Sequence, residues 1–138
     1  LGKVGEFIRK AGMPAGIGGH LLDVPVACNK AGIKPDFYMK TLHSRKYWSA
    51  QAEREHDNIW CRKPEETIAF MKKIDVPWIA YKTLAAGAIN PTVGFKYALQ
   101  NGADFLCVGM FDFQVADDVQ IFKGLMKRTI KRDRPWYG

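Results

Sequence analysis

The stretch PWIAYKTLAAGAINPTVGFKYALQNG, residues 77–102, contains one complete strand–turn–helix unit. Residues 77–84 form an apolar run of buried-strand length without clean alternation, the pattern of a parallel strand covered on both faces. Ala85-Ala86-Gly87 ends the run. Asn90-Pro91 then reads as a helix N-cap followed by proline at the first helical position, where its missing N–H costs nothing. Val93, Tyr97 and Ala98 share one face of that helix, and Gly102 closes it.

The unit recurs on either side. Residues 14–18, 36–42 and 103–110 are further strand-length runs. The first is followed by Gly19-His20 and a helical stretch over 21–31. Pro64-Glu65-Glu66 opens another helix, with acids in its positive first turn and Ile68, Phe70, Met71 and Ile74 as apolar positions. Phe7 and Ile8 predict an entry helix ending near Gly12. Asp117 and Asp118 begin the last helix, with Val119, Phe122 and Leu125 expected on its buried face.

This alternation predicts an α/β, parallel-stranded fold. Two closures are open: a four-stranded doubly wound sheet, or half of a TIM-type (β/α)₈ barrel, which takes roughly 250 residues. At 138 residues the chain is just over half that length. It has no G-x-G-x-x-G after its first strand and no G-x-x-x-x-G-K-[ST], which favours the half barrel, about four βα units in a single partial domain over 1–138. Lys40-Thr41-Leu42 and Lys82-Thr83-Leu84 echo one another at successive strand ends, near the rim where barrel sites lie, although three residues are a short match.

Composition narrows the function classes. With 47% hydrophobic and 25% charged residues the chain is expected to bury a core, and its apolar runs of about ten residues fall short of the ~20 that cross a bilayer. Cys28, Cys61 and Cys107 are odd in number and lack C-x-x-C spacing, so they read as reduced thiols. No basic-then-apolar leader is present, which makes a soluble, cytoplasmic protein the default. Because the chain starts at Leu1 rather than Met, a leader or a whole upstream segment is expected to precede it. The net charge of +7 favours anionic partners, but no nucleic-acid motif accompanies it. The basic tail over 127–138 reads as a solvated helix end complementing the helix dipole.

Chemistry is expected in the loops after the strands. The loop over 43–63 is longer than ordinary βα connections and carries His43, His56, Tyr47, Trp48 and Trp60. It reads as a lid or substrate wall, or equally as the seat of a short helix over 49–56. His20, His43 and His56, with Glu53 or Glu55, are metal-ligand types without tight ligand spacing, so no metal is expected. Lys40 and Lys82 suit a Schiff base or an anion-binding rim, or simply burial of their alkyl stems. Lys40, His43 and Lys82 are the catalytic candidates. Gly87 and Gly109 would let backbone N–H groups approach a phosphate, or serve only tight turns.

Residues 79–87 resemble the seventh-strand segment of the aldo-keto reductases, where an aromatic residue and a nearby glycine follow an apolar run. Asn90-Pro91 through Gly102 is similar to that family's seventh helix, and Leu106-Cys107-Val108-Gly109 with Asp118-Val119-Gln120 to its eighth strand and following helix. Residues 15–20 and 36–38 fall where strands five and six would lie. The resemblance implies the C-terminal, cofactor-binding half of an NAD(P)-linked oxidoreductase acting on a small carbonyl or sugar-like substrate. Tyr81 would stack on the nicotinamide, and Lys82, Thr83 and Leu84 would face the pyrophosphate of NAD or NADP. Gly19 and His20 stand where the family has the Ser-Asn pair that contacts the carboxamide, and Gly87 and Gly109 complete the implied cofactor set. Phe111 to Gln114 replace the residues that grip a 2′-phosphate, and the family's catalytic residues belong to strands outside this chain. The alternatives are a cofactor-free barrel lyase, isomerase or hydrolase, with Lys40, Lys82, His20 and His43 lining an anionic or polyol pocket, or a non-catalytic fragment. The expected partner is a small-molecule substrate, with neither nucleic acid nor membrane. A half barrel exposes two edges and an apolar interior, so it should pair with an N-terminal half or self-associate.

Overall fold

The computed structural model describes residues 1–51, 58–128 and 130–138. The strands are β1 (Gly16–Gly19), β2 (Phe37–Thr41), β3 (Trp78–Tyr81) and β4 (Phe105–Cys107). The helices are α1 (Gly2–Lys10), α2 (Asp23–Lys30), α3 (Pro64–Met71), α4 (Pro91–Gln100) and α5 (Val115–Met126). All three strand pairs are parallel, in the order β1-β2-β3-β4. All four predicted strands are present; β2, β3 and β4 lie within their expected stretches, while β1 runs one residue past its own, to Gly19. The order never reverses, so the sheet has no switch point of the doubly wound kind.

The two faces of the sheet differ. Ile17, Tyr38, Trp78, Ala80 and Leu106 point to one side and pack with Met71 of α3 and Ala98 of α4. On the other side Gly18, Met39, Ile79 and Phe105 form a row across all four strands. Phe105 there is 46% exposed, and Met39 and Ile79 are only half-buried. Among the described residues an apolar sheet face is left open, and β1 and β4 are the sheet's edges.

Helix ends follow their local chemistry. Asn90 Oδ1 accepts from Thr92 N at 2.9 Å at the start of α4. Gly102, at φ +101°, ends that helix in the left-handed region. The last helix departs from expectation. A 3₁₀ turn, Asp112–Gln114, runs straight into α5, which begins at Val115 rather than Asp117. Asp118 is buried and Val119 41% exposed, while Leu125 is buried and Phe122 partly so. Val93 of α4 is likewise exposed, since the sheet-facing stripe runs through Phe95, Ala98 and Leu99.

The basic tail is also corrected. Lys127, Arg128 and Lys131 are exposed, but Arg134 is buried to 2%. Its Nη1 meets Asp104 Oδ2 at 2.5 Å, and Arg132 Nη2 meets Asp104 Oδ1 at 2.8 Å. Arg134 also donates to the carbonyls of Met71, Ile74, Val76 and Gly102. The tail thus clamps the amino ends of β3 and β4, instead of ending a helix in solvent. A side chain at Gly102 would put its Cβ 3.0 Å from Arg134 Cβ. Removing one partner of a buried pair leaves an uncompensated charge, at about 3–5 kcal/mol. Arg134→Ala is expected to lower the unfolding free energy by about 3 kcal/mol, the lower end, because Arg132 still meets Asp104. A urea midpoint within error of the wild type would remove the clamp from the list of major stabilising contacts.

Candidate functional site

The residues singled out in the sequence collect at the carboxyl ends of the strands but divide into two groups. Six of the eight cofactor candidates (Tyr81, Lys82, Thr83, Leu84, Gly87 and Gly109) line one cleft of about 770 Å³ between the ends of β3 and β4. Gly19 and His20 do not line it.

Backbone strain marks the cleft wall. Lys82, Ala85 and Ala86 have φ of 60°, 48° and 55°, and Gly87 has 87°. A left-handed conformation costs a non-glycine residue roughly 1–2 kcal/mol, so three in five residues is a held conformation. The N–H groups of Ala85, Gly87, Ala88 and Ile89 bond back within the turn, whereas those of Thr83, Leu84 and Ala86 join none of these bonds. Thr83 is 1% exposed, and its Oγ1 has no hydrogen-bond partner among the described residues. The N-terminus of α4 meets the same cleft at Asn90 and Pro91. Its approach depends on Gly94, where a Cβ would lie 2.8 Å from Thr83 O. Among the described residues, those lining the cleft therefore include one with a buried hydroxyl, residues whose N–H groups stay outside the turn's own bonds, a helix N-terminus and the exposed Lys82. Buried Asp118 is the carboxylate on its wall.

The second group surrounds His20. Its Nδ1 lies 2.8 Å from Thr41 Oγ1, and its ring stands 5.0 Å from Tyr81 and 6.5 Å from Trp60. Lys82 Nζ sits 4.3 Å above the Trp60 ring. Lys40 is 2% exposed and donates to His20 O at 2.8 Å and Thr41 O at 3.0 Å, tying the end of β1 to that of β2. Burial lowers its pKa. The two lysines of the sequence echo are not equivalent. Lys40 lies within β2 opposite Ala80, whereas Lys82 follows β3 in a left-handed turn.

His43 plays a structural part. It is 1% exposed, its Nδ1–H donates to Ser44 O, and its Nε2 accepts from Trp60 N and Cys61 N at 3.1 and 2.8 Å. Both nitrogens are committed to backbone, so the neutral ring staples the long loop and offers nothing to a ligand. That loop contains a 3₁₀ turn, Trp48–Gln51, and the rest of the helix expected over 49–56 lies outside the described residues. So do Glu53, Glu55 and His56. Among the described residues no three metal-ligating side chains come together, no cysteine is paired, and no helix is long and apolar enough to cross a membrane. Thr41 and Asp118 were not among the site candidates of the sequence reading, which took Asp118 only as a helix start. Thr41 stood inside the Lys-Thr-Leu echo, where only the lysines drew attention.

Two outcomes are expected for the histidines. Diethyl pyrocarbonate should modify the peptide bearing His20, which is exposed, and spare that bearing His43; equal labelling in the folded chain would contradict this placement. Both pKa values lie below the ordinary 6.5, His43 mainly through burial, His20 through burial and then Lys82 and Lys40. The unfolded chain then binds protons that the fold does not. Stability is complete above 6.5 and declines as pH falls from 6.5 toward the lowered folded values. Urea midpoints at about pH 7.5 and 5.5 should show the loss, and His43→Gln should reduce it, the His20 share remaining.

No family model, no curated protein and no solved structure matches the chain, so its functional reading stands on this geometry.

Proposed function

We propose that the chain is the C-terminal half of a TIM-type barrel enzyme, and that its cleft between β3 and β4 anchors the phosphate of a small, sugar-like substrate. The open apolar sheet face and the two free strand edges support the half barrel, since a further set of βα units, or a second copy, would cover both. The observation that carries the ligand reading is the turn over 82–87. Its left-handed residues and the unpartnered Thr83 hydroxyl line a cleft that also receives the α4 N-terminus. Phosphate oxygens are the acceptors such donors lack, and loops of this position bind phosphate in many barrels. The reaction in this reading is a cofactor-free isomerase or lyase step beside His20.

A second reading, the aldo-keto reductase-like oxidoreductase, is favoured by the gathering of Tyr81, Lys82, Thr83, Leu84, Gly87 and Gly109 on one cleft. The cleft has the volume usual for ligand sites, roughly 300–1,000 Å³. NAD or NADP would then bring the phosphate, and Tyr81 the stacking face. His20, bonded to Thr41 outside this cleft, argues for the first reading.

Titration of the chain with fructose 6-phosphate and dihydroxyacetone phosphate, read by ³¹P line broadening, is expected to saturate. NADH and NADPH fluorescence should stay unchanged; saturation with either nucleotide alone transfers support to the oxidoreductase. Thr83→Val removes a buried unsatisfied hydroxyl, so it should leave stability unchanged or raise it by up to about 1 kcal/mol, while weakening phosphate binding by about 1–2 kcal/mol. Undiminished phosphate binding in that variant would take Thr83 out of the anchor.

A further inference from the structure

The His20 group has no part in anchoring the phosphate, yet its arrangement is chemically specific. The imidazole is exposed at the end of β1 and held from one side only, by Thr41 Oγ1 on Nδ1. Among the described residues no bond occupies Nε2. A hydroxyl can accept from Nδ1–H or donate to bare Nδ1, so Thr41 accommodates either tautomer, and Nε2 is able both to take a proton and to return it. Lys40 fixes the backbone of His20 and Thr41 together through their carbonyls. The Tyr81 ring links this imidazole to the cleft, and Thr83 follows two residues later, at most ~7 Å of chain. Lys82 lines the cleft and lays its ammonium on Trp60, the ring that His20 also faces.

We infer that His20 is the acid–base residue of the site, moving a proton between neighbouring carbons of a phosphorylated hydroxy-carbonyl compound, with Lys82 Nζ on the oxygen that gains charge. This rests on the phosphorylated-substrate reading above. In the step, the C–H bond beside the carbonyl breaks and its proton passes to Nε2. The electron pair forms a carbon–carbon double bond, and the carbonyl π pair moves to oxygen, giving an enediolate beside the Lys82 cation. The adjacent hydroxyl yields its proton to the former carbonyl oxygen, and His20 returns its own to the neighbouring carbon. The carbonyl has moved by one carbon, and no electron donor or acceptor is needed. The part of the ring that is covered and the charges of Lys82 and Lys40 lower the His20 pKa, in the direction that favours the neutral base.

The test is solvent exchange in D₂O, with dihydroxyacetone phosphate and fructose 6-phosphate as probes and ³¹P broadening as a separate measure of binding. The wild-type chain is expected to place deuterium on the carbon beside the carbonyl faster than buffer does. His20→Gln, at an exposed position, should bind both probes normally and exchange at least about 100-fold more slowly, the usual scale of acid–base catalysis. Thr41 is a positioning residue, so Thr41→Val should lose exchange and Thr41→Ser restore it at unchanged binding. Binding without exchange in the wild type, or undiminished exchange in His20→Gln, overturns the assignment and leaves the phosphate anchor standing. Absence of binding to either probe overturns both.

Discussion

One carboxylate organises the end of the sheet opposite the cleft. Asp104, at the entrance to β4, accepts from the backbone N–H of Trp78 at 2.9 Å and from that of Tyr137 at 3.1 Å. It also meets Arg132 and Arg134. Through Arg134 the same centre reaches the last carbonyls of α3, the connection into β3 and the end of α4. Isolated, such a charge would be far too costly to bury; with four donors on its two oxygens Asp104 is stabilised there and ties β3 to β4. The strained turn and the cleft stand at the other ends of those two strands. Their geometry is inherited from this clamp, and the Arg132 and Arg134 planes lie 4.4 and 4.5 Å from the rings of Trp136 and Tyr137, closing the tail over it.

The opposite end of the sheet follows a different rule. At the amino ends buried charge is fully paired; at the carboxyl ends groups are held but incompletely satisfied. Lys40 bonds two carbonyls, and Thr83 keeps a hydroxyl without a partner. Three non-glycine residues occupy left-handed backbone. Strain and unsatisfied polarity of this kind persist only where surrounding packing over-determines them, here the contact of Gly94 with Thr83 O and Leu84. The contrast between a stabilising floor and a strained rim is what a site on the carboxyl ends of parallel strands requires.

How much of this was legible in the sequence depended on whether the cause was local. The Asn90-Pro91 start and Gly102 end of α4 are properties of two or three adjacent residues, and both stand where expected. Strand positions followed from apolar runs bounded by turn residues, another short-range signal. The tail failed for the opposite reason: Arg134 meets a carboxylate 30 positions earlier, and nothing local separates it from the exposed Lys131. His43 is similar. A histidine in a long, aromatic-rich loop reads as chemistry until the N–H groups of Trp60 and Cys61 are found on its Nε2. α5 misled by its own acids, because Asp117 and Asp118 look like a first turn whether the helix begins there or at Val115.

The Lys-Thr-Leu echo shows how parallel strands convert repetition into difference. Thr41 pairs with Tyr81 across β2 and β3, so the second copy of the motif begins one residue beyond the registered end of the sheet. Lys40 pairs with Ala80, and the resulting two-residue offset places Lys40 inside, under two carbonyls, and Lys82 outside, onto the Trp60 face. It also turns Thr41 toward His20 and leaves Thr83 without a partner. Each motif thus supplies one interior lysine or one rim lysine, and one engaged or one waiting hydroxyl. The proposed phosphate anchor and the residue that positions the proposed acid–base histidine then come from two copies of one short motif, separated only by where the strand ends.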